Sequence, residues 1–223
     1  MSAGTRVGLL GGTLDPIHVG HLATACAAKR ALHLDHVYVL PSNVPPHRVQ
    51  QPVASGHQRF AMGALAINGI EGLRVSDIEL SAPGPSYTAD TLTRFSSATG
   101  FDASQIFFVT GADAFAEIET WYRYPDVLDL ANFVVISRPG FDLSSLRDRL
   151  PALAPRMIEP GATRSPRESR TIFLVEAATP DVSSTDIRTR LKAGQSITGL
   201  VPANVESHIR QHGLYSPHGR SLA

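Results

Sequence analysis

Short apolar runs recur along the 223-residue chain, separated by glycine, proline and polar clusters, and they read as strands alternating with helices. Val7-Gly8-Leu9-Leu10 predicts a buried strand, and residues 22–32, dense in good helix formers, predict a helix after it. His36-Val37-Tyr38-Val39-Leu40 predicts a second strand, ending in a loop set by three prolines at 41–48. Helical spacing returns at 58–67 and closes on Asn68-Gly69. Leu73-Arg74-Val75 predicts a short strand, 81–86 a loop around Pro-Gly-Pro, and 88–97 a helix. The strongest internal strand is 105–110, with others at 132–137 and 172–175. A helix opens within 181–188 and runs to about Lys192, with Gly194 placed to end it. Residues 155–170, rich in Pro, Arg and Ser and without periodicity, read as an exposed loop. Arg156, Arg164, Arg167 and Arg170, with the nearby Arg149, have a ligand-contact reading and a solvated-loop reading. The alternation predicts an α/β fold with a doubly wound parallel sheet, in a single domain over 1–223.

Composition narrows the function classes. With 43% hydrophobic and 18% charged residues the chain can bury a real core. Lys plus Arg equals Asp plus Glu at 20 each, so no basic excess points to nucleic acid or to an anionic membrane. One cysteine rules out an internal disulfide and fits a reducing compartment. No run approaches the ~18 apolar residues of a membrane span, and the start has no signal-peptide pattern. The expected location is cytoplasmic, and a homo-oligomer stays open.

The pattern places Gly11-Gly12-Thr13-Leu14-Asp15-Pro16-Ile17-His18-Val19-Gly20-His21 at the turn between the first strand and the first helix. Gly11 and Gly12 let the backbone approach a ligand, and free amides at a helix start favour an anion. His18 and His21, three apart, share one face of the opening helical turn. These features suit a phosphate. Gly-Gly alone also reads as a plain turn. The histidines also read as metal ligands, although the zinc-protease Glu between them is missing; Cys26 reads as packed. The whole string resembles the G-T/S-F-D-x-x-H-x-G-H signature of nucleotidyltransferases, with Leu14 where Phe is usual. An apolar side chain there keeps the packing beneath the loop.

Further along, Gly111-Ala112-Asp113 repeats the arrangement of apolar strand, glycine and polar group. Asp113 reads either as a ribose ligand or as a helix cap. Ser183-Ser184-Thr185-Asp186-Ile187-Arg188 reads as a capped helix start or as a cradle for polyphosphate. It resembles the S-S/T-T-x-I-R signature of the same nucleotidyltransferases. PSNVPPHR, PSYTADTL, GADAF, TWYRYPDVL, SRPG and the terminal Gly213-Leu214-Tyr215 follow, in order, the pattern of the nicotinate-nucleotide adenylyltransferases. The resemblance covers residues 6–215 and implies a Rossmann-like fold.

It also implies transfer of AMP from ATP to nicotinate mononucleotide, giving deamido-NAD and pyrophosphate in NAD biosynthesis. His18, His21 and Arg188 are then the candidate catalytic residues. Gly11, Gly12, Thr13, Gly111, Asp113, Ser183, Ser184, Thr185 and Ile187 would bind ATP. Asn43, His47, Arg48, Tyr87, Thr88, Trp121 and Tyr122 would bind the acceptor, although a lone Trp also reads as core. Mg²⁺ bridging the ATP oxygens is the expected helper, with no metal site of the protein's own. The rival readings are a nucleotide-sensing module that transfers nothing, and an adenylyltransferase acting on nicotinamide mononucleotide or pantetheine phosphate.

Overall fold

The computed structural model describes residues 4–45, 52–137, 140–162 and 170–216. Its strands are β1 (Val7–Gly12), β2 (His36–Pro41), β3 (Leu73–Val75), β4 (Ile106–Gly111), β5 (Asn132–Ile136), β6 (Met157–Ile158) and β7 (Ile172–Val175). All pair in parallel in one sheet of order β3-β2-β1-β4-β5-β7-β6. The winding therefore reverses between β1 and β4, and a crevice opens beyond their carboxyl ends. Gly11-Gly12 ends one of these strands and Gly111 the other. The expected doubly wound parallel sheet is what the chain forms.

The period of two along each strand splits the core into two faces. Leu9, Phe108, Phe133 and Ile172 lie in one cross-strand row and join a single buried cluster. The next row, Leu10, Val109 and Val134, points the other way and packs with Ala25 and Ala28 of α1 (Val19–Leu32). Alanines on that face let the helix lie close to the sheet. Cys26 packs against the same cluster, as expected. α1 begins three residues earlier than its good helix formers suggest, because the His21 and Leu22 amides already donate to the His18 carbonyl. Val19 and Gly20 are poor helix formers, so propensity misses that first turn.

The remaining helices are α2 (Gly56–Ile67), α3 (Thr88–Thr99), α4 (Ala112–Phe115), α5 (Ser145–Arg149), α6 (Ser184–Lys192) and α7 (Ala203–Gln211). A third cluster, including Leu14, Ile17, Met62, Ile187, Val205 and Tyr215, fills the space beneath the signature turn. Leu14 is 1% exposed, so an apolar side chain does underpin the loop.

The stretch at 155–170 departs from the loop expectation. Met157 buries its side chain and pairs with β7 as a two-residue edge strand, too short to show a period. Arg156 is built into the fold, donating to the carbonyls of Leu128 and Arg170 and pairing with Asp129 at 3.0 Å. Arg149 faces Glu117 at 3.6 Å. Arg164 and Arg167 lie outside the described residues.

Phe133 sits wholly buried among the rings of Phe108, Phe115 and Trp121. Phe133→Ala should lower unfolding stability by ~3–5 kcal/mol, the usual cost of deleting a buried aromatic ring. Urea unfolding followed by Trp121 fluorescence measures it. A loss under about 1 kcal/mol would mean that the cluster re-forms around the gap.

Candidate active site

The turn after β1 brings donors to the crevice. Gly12 is tied to the end of β2 through its carbonyl, which accepts the Ser42 amide at 2.9 Å. Leu14 follows in the left-handed region at φ 52°, a rare conformation for a branched side chain and one that turns the chain sharply. His18 then caps α1 in extended conformation. Its backbone N–H donates to Nδ1 of His21 at 3.2 Å, and the two rings lie against each other, tilted by 33° with centroids 3.7 Å apart. That bond fixes a tautomer: with Nδ1 accepting, the neutral His21 ring carries its proton on Nε2. His21 lines the crevice. Its other ring nitrogen is thus held beside the signature turn.

Buried charges support the turn from below. Asp15 is 2% exposed; its carboxylate accepts the amides of Val53 at 2.8 Å and Ala54 at 3.1 Å, and the Tyr215 hydroxyl at 2.7 Å. Arg59, also 2% exposed, donates to the carbonyls of Thr13 at 2.8 Å, Ser42 at 2.5 Å and Ala54 at 3.2 Å. Burial lowers the pKa of this guanidinium, while Asp15, Tyr215 and Glu79 oppose the shift. Burial, then the Asp15 charge, raises that of the Tyr215 hydroxyl, so it stays a donor.

The second signature clasps the same turn. Ser183 caps α6 by accepting the Asp186 amide at 3.0 Å, and the Ser184 hydroxyl donates to the Pro16 carbonyl at 2.9 Å. Arg188 donates to the Asp15 carbonyl at 2.7 Å and to the Thr185 hydroxyl at 3.2 Å. The Ile187 side chain is wholly buried in the third cluster. The stretch thus joins the turn to α6 through its side chains.

A cavity of about 400 Å³ occupies the crevice. Gly11, Gly12, Thr13 and His21 line it from one strand end, Gly111 and Asp113 from the other, and Tyr87, Thr88, Trp121 and Tyr122 from the loops. A second cavity of about 300 Å³ is lined by His18, Asp181 and Val182, and shares Thr24 and Asp113 with the first. Asp113 is the second residue of α4, whose N-cap is Gly111. Ser183, Ser184, Thr185, Ile187, Arg188 and Asn43 line neither cavity. Asn43 is tied to the loop at 81–86, its side-chain amide donating to the Ala82 carbonyl at 2.9 Å. His47 and Arg48 lie outside the described residues.

Trp121 has both properties that the sequence left open. Its ring packs edge-on to Phe108 at 6.0 Å, and it also lines the cavity. Tyr87 and Tyr122 face each other at 4.5 Å across the same end. Sequence reasoning passed over three residues here. Arg59 falls in a helical stretch where a charge reads as a solvated face, and Ser42 sits unremarked in a proline loop. Glu79, 5% exposed, lines the cavity and accepts from Thr91 Oγ1 at 2.9 Å. Burial raises its carboxyl above the usual range, against the hydrogen bonds of Ser86 and Thr91 and the charges of Arg94 and Arg59. Nothing in a single sequence marks a buried acid.

Fold and crevice define a nucleotidyltransferase, and the cytidylyltransferase-like family pattern matches residues 9–190. Relatives narrow this. The chain is 39% identical over 218 residues to a protein of Desulfatibacillum aliphaticivorans, covering 94% of this chain and 99% of the relative. It is 41% identical over 213 residues to one of Moorella thermoacetica, covering 95% and 92%. Both carry the name probable nicotinate-nucleotide adenylyltransferase. The chain belongs to the nicotinate-nucleotide adenylyltransferase family. The Plasmodium falciparum nicotinic acid mononucleotide adenylyltransferase complexed with NaAD shares the fold, with a TM-score of 0.74 at 17% identity over 95% of this chain and 98% of that one.

The raised Glu79 pKa has a sign that can be measured. The folded state holds this proton more tightly than the unfolded chain, so stability falls as pH rises from about 4.3 through the raised value. Glu79→Gln removes that loss. Relative to wild type, the variant should gain unfolding stability between about pH 4 and about pH 7, read from urea midpoints. A difference independent of pH would show that Glu79 does not titrate in this way.

Proposed function

We propose that this enzyme joins ATP to nicotinate mononucleotide. An oxygen of the acceptor phosphate attacks the α-phosphorus of ATP in line, the bond from that phosphorus to the β-bridging oxygen breaks, and pyrophosphate leaves. The product is deamido-NAD. Such a reaction needs no protein nucleophile; it needs two anions held together and the growing charge met by fixed donors. The observation that carries the reading is the placement of His21, whose Nδ1 accepts the His18 amide at 3.2 Å while its ring lines the cavity beside the signature turn. The amides of Gly12 and Thr13 act beside it, and His18 borders the adjoining cavity, where the purine and ribose of ATP would lie near Asp113. Arg188 supports the phosphates through the turn it clamps at the Asp15 carbonyl.

Among the described residues no three His, Cys, Asp or Glu side chains converge as a metal cage. Mg²⁺ arriving with ATP would supply charge neutralisation at the phosphates. Trp121, with Tyr122 and Tyr87, forms the flat-sided end of the cavity that would take the pyridine ring. Nearby backbone amides would favour its carboxylate over a neutral amide. His47 and Arg48 are proposed to meet the acceptor phosphate. No helix of the described residues is long and apolar enough to cross a membrane.

The direct test is pyrophosphate release with ATP, Mg²⁺ and nicotinate, nicotinamide or pantetheine phosphate acceptors. Release is expected with the nicotinate nucleotide above the others; ATP binding without release would favour the sensing module. His21→Ala should lower turnover ~10²–10³-fold, the usual cost of one preorganised donor, while ATP affinity holds. Near-normal turnover in a folded variant would remove His21 from the mechanism.

Stacking cannot tell two flat rings of similar size apart. Trp121→Ala should therefore raise KM for the nicotinate and nicotinamide nucleotides alike, with their ratio and ATP binding little changed. If acceptor use is untouched and only the melting temperature falls, Trp121 serves the core alone.

A further inference from the structure

Ser42 follows the last residue of β2 and stands beside the phosphate-binding turn. Both of its backbone groups are engaged there. Its amide donates to the Gly12 carbonyl at 2.9 Å, and its carbonyl accepts from Arg59 at 2.5 Å. The residue is 6% exposed, yet its hydroxyl has no hydrogen-bond partner among the described residues. Buried hydroxyls are paired as a rule, because stripping one of water without replacement costs free energy. Ser42 lines the same cavity as Gly12, Thr13 and His21. A hydroxyl with no partner among the described residues, on a doubly pinned backbone at the cavity wall, suits a partner that a bound substrate supplies.

We propose that Ser42 is a substrate-binding residue whose hydroxyl donates to a phosphate oxygen of the acceptor nucleotide. Gly12, Thr13 and His21 line the same cavity. A hydroxyl donor beside the His21 ring fits an oxyanion. The adjacent Asn43 is directed elsewhere, with its side-chain amide on the Ala82 carbonyl and its backbone amide on the Ser86 hydroxyl at 2.8 Å. The loop at 41–45 therefore divides its work. Asn43 ties it to the loop at 81–86, and Ser42 faces the reacting phosphate. Pinned by Gly12 and Arg59, the hydroxyl needs little ordering when the acceptor arrives.

This assignment rests on the adenylyl-transfer reading, and Ser42→Ala separates the two. Without ligands the variant should melt at the same temperature as wild type or higher, since it loses a buried hydroxyl that no described residue pairs. Its kcat/KM should fall about ten- to hundred-fold, the usual worth of a hydrogen bond to a charged group. The fall should be equal for the nicotinate and nicotinamide nucleotides, which share the phosphate. The Kd for ATP alone should hold, and the rise in melting temperature caused by nicotinate mononucleotide should shrink. Three results would overturn the assignment: unchanged kcat/KM for both acceptors, a fall confined to the nicotinate nucleotide, or a marked loss of stability without ligand. A wild-type protein that releases no pyrophosphate with any acceptor would instead overturn the reading beneath it.

Discussion

The turn at 11–21 is held in place by a carboxylate and a guanidinium that lie beneath it, both taken almost entirely out of water. Charges so placed are expensive to bury and persist only when hydrogen bonds answer them. Here they are answered fully. Asp15 collects two backbone amides and a phenol, and Arg59 collects four carbonyls. Together these bonds tie the 53–54 segment, α2, the end of β2 and Tyr215 to one place, so moving the turn would break several strong bonds at once. The turn is stiff because the groups behind it cannot shift.

Two levels of organisation meet at this point. The parallel sheet sets the coarse geometry, placing the ends of β1 and β4 side by side where the winding reverses. The fine geometry comes from polar groups on α2, α6 and the C-terminal segment, which reach the turn from outside the sheet. Apolar packing cannot choose among orientations a few tenths of an ångström apart, whereas directional bonds to named carbonyls can. A site for phosphoryl chemistry needs the second kind of control, since its catalytic power lies in where donors point.

Much of this was legible in the sequence, for identifiable reasons. Runs such as Ile106–Gly111 carry no polar interruption, so the strands and their alternation with helices stood out. The signature at 11–21 combines rare residue types at fixed spacing, and that combination pointed to phosphate and to the family. Other features left no trace. The two residues of β6 have no period to detect. Arg59 and Glu79 look like surface charges in a one-dimensional pattern, because burial depends on what the rest of the chain places over them. Arg188 is a candidate catalytic residue by its motif, and the structure adds a bond from its guanidinium to a backbone carbonyl of the first signature that the motif does not announce. A motif states which residue types matter and is silent about which atoms they meet.

The bond between Tyr215 and Asp15 joins positions 200 residues apart. β7, the last strand in the sequence, ends forty residues before Tyr215. Without Tyr215 the Asp15 carboxylate has two of its three donors, the amides of Val53 and Ala54. The turn at 11–21 reaches its full set of bonds only once the segment that carries Tyr215 is in place. A chain cut short before Tyr215 would keep β1 to β7 and lose the last tie on that turn.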